Sequence, residues 1–136
     1  VGDGKKRKEI ADKIKHYGLE NRVIMPGYVS NIKDYLLESS VYLLSSRWEG
    51  FPMSITEAYE IGLPVISYDI TAVQPLMKNG EGLTVSSFDT KLFGEAMVEL
   101  ASSADMRKMM AKKAIETANS LSIKNIVNQW MEILNF

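Results

Sequence analysis

The chain has 136 residues, 46% hydrophobic and 24% charged, enough for one compact domain with a core of its own. A net charge of −1 offers no field to recruit nucleic acid, and the lack of cysteine excludes disulfides and thiolate-bound metals while fitting a reducing compartment. One histidine, His16, is too little for a histidine metal site or a Ser-His-Asp triad, and no apolar run nears the roughly 20 residues that span a bilayer.

The chain opens "VGDGKKRKEI". Val1 reads as the last residue of a strand and Gly2-Asp3-Gly4 as the turn behind it, so a longer protein with this chain as its C-terminal piece is expected. Ile10, Ile14 and Tyr17 recur at helical spacing within Lys5–Tyr17, with Gly18 as a stop. "NRVIMPGYV" predicts a strand and a turn at Pro26-Gly27. "SNIKDYLLESS" predicts a helix capped by Ser30 or Asn31, with Ile32, Tyr35 and Leu36 on one face. "VYLLSS" is a continuous apolar run, the kind buried on both faces of a parallel sheet.

A loop Ser46–Phe51 follows, then a helix from about Pro52 to Ile61, Gly62 as its cap, and a strand Pro64–Tyr68. "QPLMKN" suggests a short helix and "EGLTV" another strand. Beyond Asp89 three helices are expected, Leu92–Ser102, Asp105–Asn119 and Ile123–Leu134. Strands alternating with helices at this spacing predict an α/β fold over a single domain, 1–136. Its core would be a Rossmann-like parallel sheet of about four or five strands with helices on both faces.

In such a sheet, ligands sit beyond the carboxyl ends of the strands, where Ser46–Phe51 falls. With Pro52 at the first helical position, Phe51 would be the N-cap and has no side-chain acceptor. The first-turn N–H groups, including those of Met53 and Ser54, then lack a side-chain partner and form an anion site suited to a diphosphate. Gly50 lets a ligand approach the backbone. The competing use is Glu49 folding over those groups as a cap. Glu49 and Glu57 stand eight residues apart, roughly 12 Å along an ideal helix axis. That spacing favours gripping hydroxyls at the two ends of a nucleotide sugar over acid/base work as a pair, which operates at roughly 5–9.5 Å. Two solvated glutamates is the plain alternative.

The segment "EGFPMSITEAYEIGLPVIS" resembles the E-x7-E signature of retaining glycosyltransferases of the GT-B fold, in the glycogen-synthase-like family. Glu49-Gly50-Phe51-Pro52, Thr56-Glu57-Ala58 and Gly62-Leu63-Pro64-Val65-Ile66 carry it, with "NGEGLTV" and "SYDI" as further matching stretches. The resemblance implies a nucleotide-sugar-binding domain that transfers sugar with retention. Glu49 would contact hydroxyls near the reacting carbon as the catalytic residue. Gly50, Phe51, Pro52 and Met53 would surround sugar and diphosphate, Glu57 would hold the ribose, and Gly27, Tyr28 and Val29 would lie near the base. It implies no metal and no cofactor, the helix end and basic side chains neutralising the leaving group.

The family's phosphate-clamping Arg and Lys and its acceptor-binding domain are expected upstream of Val1, so this chain alone is expected to be inactive. Partners implied are a nucleotide-sugar donor and a glycan, cell-surface polymer or lipid-linked acceptor. The implied place is the cytoplasm, with peripheral association at the inner face of the membrane left open for the full-length protein. The alternative reading is a non-catalytic interaction or regulatory module with a vestigial nucleotide site.

Six other features have plainer uses. Lys5, Lys6, Arg7 and Lys8 read as a solvated face, and His16 as a surface or capping group near a helix C-terminus. Arg47 is expected in an ion pair rather than on phosphate, and Trp48 in packing rather than stacking on a ligand. Met106, Met109, Met110 and Ala114 predict a core-facing stripe, and Ile126, Val127, Trp130 and Leu134 a face that packs on a neighbouring domain or sheet and is exposed where that partner is missing.

Overall fold

Lysine, arginine and spaced apolar residues wind into helix α1 (Arg7–His16), which buries nothing. Gly18, at φ +64°, takes the left-handed step that ends it, its N–H donating to Lys15 O at 3.0 Å. The Arg7 guanidinium donates to Met25 O at 2.8 Å, and Gly2 N–H donates to Gly27 O at 2.8 Å. All of this belongs to the first of two compact units, Val1–Tyr35. The turn at Pro26-Gly27 forms, with Gly27 at φ +83°, but the strand expected in "NRVIMPGYV" does not. One backbone bond from Gly2 is not a ladder. The computed structural model describes residues 1–134.

Helix α2 (Ile32–Leu37) leads into the second unit, which begins at Leu36. Of its expected caps, Asn31 spends its amide on the Asp34 carboxylate at 2.5 Å. The sheet has three parallel strands, β1 (Tyr42–Leu44), β2 (Val65–Tyr68) and β3 (Gly82–Val85), in the order β1-β2-β3. Tyr42 aligns with Val65, and Val65 with Gly82. The two strands expected at Val1 and in "NRVIMPGYV" account for the difference from four or five. All of β2 is buried, as suits a central parallel strand. β1 instead lies at an edge, so Leu43 is exposed where burial on both faces was expected.

Helix α3 (Met53–Glu60) crosses from β1 to β2 and buries Ile55, Ala58 and Tyr59 against Leu44 and Val65. Leu63 N–H donates to Ala58 O at 2.9 Å and Gly62 N–H to Tyr59 O at 3.0 Å. With Gly62 at φ +79°, this is a Schellman ending. The opposite face carries Ile66, Tyr68 and Val85, covered by Phe93, Ala96 and Leu100 of helix α4 (Thr90–Ser102). Asp89 caps α4, accepting from Lys91 and Leu92 N–H at 3.0 Å. Helix α5 (Ala104–Ser120) joins both layers, Met110 in one cluster and Ala114 in the other. Met109 departs from the expected stripe and is exposed. Each large apolar side chain buried this way contributes about 1.5–3 kcal/mol.

Glu81 is a fully buried carboxylate that the sequence reading missed. It accepts from Asn79 N–H at 2.8 Å, Asn79 Nδ2 at 3.0 Å and Thr117 Oγ1 at 2.6 Å, fastening the turn before β3 to α5. Helix α6 (Ile123–Ile133) follows and buries nothing, leaving Val127, Trp130 and Leu134 exposed among the described residues. Among the described residues no helix is long and apolar enough to cross a membrane.

Candidate functional site

The loop between β1 and α3 leaves the carboxyl end of the sheet, so its residues are presented where all three strands finish. Pro52, with φ −79° and ψ +79°, is the N-cap of α3 rather than its first helical residue. That ψ lies outside the helical region, and the Met53 N–H turns back onto Phe51 O at 2.9 Å. Ile55 N–H donates to Pro52 O at 2.9 Å. Of the donors expected to be open, Met53 is therefore engaged, while the Ser54 N–H has no partner among the described residues. No side chain caps this helix end. Glu49 does not fold over it and makes no hydrogen bond or ion pair among the described residues.

The approach is open. Gly50, Phe51 and Met53 are exposed and Ser54 is half-buried, whereas Pro52, expected to face sugar and diphosphate, is fully buried and presents no side-chain surface to a ligand. A Cβ added to Gly50 would meet nothing within 4 Å. Glu57 is exposed on α3 and likewise unpartnered.

The residues of the loop divide between two hollows. Glu49 lines a cleft of about 340 Å³ with Arg47, Trp48, Asp69, Gln74 and Ser87, drawn from the ends of all three strands. Phe51 and Met53 line a larger, mainly apolar groove of about 640 Å³ with residues of α5 and α6. Glu49, Gly50, Phe51, Pro52, Met53 and Glu57 all lie in the second unit. The turn Gly27-Tyr28-Val29 belongs to the first, where Gly27 is buried and Tyr28 is 83% exposed.

Two side chains beside the motif differ from expectation. Arg47 makes no ion pair among the described residues; its guanidinium lies over the Phe88 ring, 5.3 Å from the centroid. Phe88 holds a left-handed backbone, φ +68°, and packs edge-on against Tyr68 at 5.6 Å. Trp48 is 81% exposed rather than packed. Asp69, Gln74 and Ser87 were not singled out in the sequence. The one signal for Asp69 is its place directly after a fully buried strand, where a doubly wound sheet presents ligand-facing residues. Among the described residues no group of three or more metal-ligating side chains is gathered.

A parallel sheet with helices on both faces and an uncapped helix start at the carboxyl edge defines a Rossmann-like α/β type of domain. Residues 1–117 match the family described as glycosyl transferases group 1, and the chain belongs to that family.

Over 99% of its length the chain is 31% identical to the amylovoran biosynthesis glycosyltransferase AmsD of Erwinia amylovora. Over 98% it is 26% identical to the poly(glycerol-phosphate) alpha-glucosyltransferase of Bacillus subtilis. It spans 38% and 20% of those two proteins. A structure of a Staphylococcus aureus TarM mutant in complex with fondaparinux, alpha-GlcNAc-glycerol and UDP matches with a TM-score of 0.87, at 22% identity. That match covers 99% of this chain and 28% of the other. Sucrose-phosphate synthase from Thermosynechococcus elongatus matches with a TM-score of 0.83, at 22% identity, covering 98% of this chain and 36% of the other. These likenesses identify the GT-B type of fold.

Proposed function

We propose that this chain is the donor-binding half of a retaining glycosyltransferase that takes a nucleotide-diphosphate sugar. The observation that carries this reading is the start of α3. It is uncapped by any side chain, open to solvent, and bracketed by two unpartnered carboxylates, Glu49 before it and Glu57 along it. The diphosphate lies against the Ser54 N–H and the helix end, whose positive pole favours an anion by about 0.3–1 kcal/mol in exposed settings. Glu57 accepts the ribose hydroxyls and Glu49 those of the sugar.

In the transfer, the bond from the anomeric carbon to the diphosphate oxygen breaks. The acceptor oxygen bonds that carbon on the face the leaving group vacates, and the acceptor proton passes to the departing nucleoside diphosphate. No resident metal is required, since α3 and basic side chains meet the charge that develops on the leaving group. The acceptor is a cell-surface polymer, a glycan or a lipid-linked sugar, used at the cytoplasmic side. The relatives named for amylovoran biosynthesis and for poly(glycerol phosphate) support that class.

The test is calorimetric titration of the intact natural protein carrying this chain with UDP, GDP and ADP and with their sugar derivatives. Glu57→Ala weakens the preferred nucleoside diphosphate at least tenfold, the loss of about 1.5–3 kcal/mol of charged hydrogen bonding. Glu49→Ala leaves that affinity within about twofold and removes the added affinity from the sugar. Two silent substitutions in a folded, active protein would refute these roles.

A further inference from the structure

The cleft beside Glu49 holds a second carboxylate that the sequence motif does not contain. Asp69 follows β2 directly and is fixed from three sides. Its N–H donates to Val85 O at 2.8 Å, its carbonyl accepts Ser87 Oγ at 2.6 Å, and its Oδ1 accepts Gln74 Nε2 at 2.9 Å. Its Oδ2 has no partner among the described residues. Arg47 lines the same cleft, but its charge rests on the Phe88 ring and does not pair with Asp69 or Glu49. The cleft's rim is Trp48, an indole 81% exposed. A volume of about 340 Å³ falls at the small end of ligand pockets, which run from about 300 to 1,000 Å³.

Asp69 is exposed, but its backbone is pinned on both sides and its carboxylate is steadied by Gln74, so its free oxygen accepts a hydroxyl at a reduced cost in rotamer freedom. An open indole offers an apolar plane to the C–H face of a pyranose. A carboxylate serving only to close the β2 loop would not need to line a cleft shared with Glu49. We propose that Asp69, held by Gln74 and Ser87, is a specificity-determining residue that reads hydroxyls of the transferred pyranose, with Trp48 as the plane beneath the ring. The inference rests on reading this loop as a nucleotide-sugar site, and it extends that reading from where the donor binds to which donor is chosen.

The test uses the intact natural protein and donor hydrolysis, in which water replaces the acceptor, so that any change reports on the donor sugar alone. UDP-glucose, UDP-galactose, UDP-N-acetylglucosamine and GDP-mannose are compared by kcat/KM for wild type, Asp69→Asn and Trp48→Ala. Asp69→Asn keeps the shape and the bond from Gln74 but loses the charge. It is expected to change the ratio of kcat/KM between the best donor and the next by at least tenfold, while affinity for the free nucleoside diphosphate stays within about twofold. Trp48→Ala is expected to raise KM for every sugar donor. An unchanged donor ratio in Asp69→Asn, in a protein that Glu49→Gln inactivates, would overturn this inference and leave the nucleotide-sugar reading standing. A wild-type protein that neither hydrolyses any of the four donors nor binds UDP or GDP would overturn both.

Discussion

Removing one oxygen atom from the core, by Tyr59→Phe, yields a stability change whose sign depends on pH. Tyr59 is fully buried; its hydroxyl donates to Leu76 O at 2.9 Å and lies 2.8 Å from the Met77 sulfur. Burial first, and then the neighbouring Glu81 carboxylate, hold the phenol well above its ordinary range. At pH 8 the phenol is neutral in both folded and unfolded chains, so the substitution costs only the hydrogen bond, about 1 kcal/mol. Above about pH 10 the unfolded chain releases the proton while the folded chain keeps it. The unfolded state then binds fewer protons, so wild-type stability falls with rising pH, approaching about 1.4 kcal/mol per unit. Phenylalanine has no proton to lose. The deficit of the variant therefore shrinks, vanishes near roughly pH 10.6 and becomes a small advantage by about pH 11. Urea unfolding of both chains at pH 8, 10 and 11 measures the gap directly. A gap constant from pH 8 to 11 would refute the argument, since Tyr59 would then titrate alike in both states.

Gly82→Ala places a Cβ 1.9 Å from the Val65 carbonyl oxygen, on the backbone of the central strand, which cannot give way. Thermal melting should show a loss of several kcal/mol, or failure to fold. Arg107 donates through Nη1 to Leu100 O at 2.5 Å and Ala101 O at 2.9 Å, closing the end of α4 from α5. Arg107→Ala should cost about 1.5–3 kcal/mol in urea unfolding, with Arg107→Lys between the two.

The second unit was largely legible because its signals were local and agreed with one another. Gly62 and Pro64 marked the end of α3 and the start of β2, and the uninterrupted run around Val65–Tyr68 marked a strand buried on both faces. The strand in "NRVIMPGYV" was misjudged because an extended apolar run becomes a strand only when a neighbour completes its ladder, which composition does not report. The same limit applies to Leu43, whose exposure depends on whether a further strand lies beside β1. Glu49 and Glu57 stand out through their motif. Asp69 and Glu81 were not legible because each has a partner from a distant stretch, Ser87 18 residues from Asp69 and Thr117 36 from Glu81, while the Gln74–Asp69 contact is local but has no periodic pattern to announce it. Arg47 shows a related failure. An arginine beside a glutamate suggests an ion pair, but the partner here is an aromatic ring in the loop after β3.

The central claim is that the start of α3 receives the diphosphate, and the Ser54 amide tests it most directly. In the intact natural protein labelled with 15N, titration with the preferred nucleoside diphosphate should shift the Ser54 amide resonance, and those of Gly50 and Phe51, to saturation. The midpoint should match the affinity measured by calorimetry. Saturable binding that leaves these three amides unmoved would contradict the account.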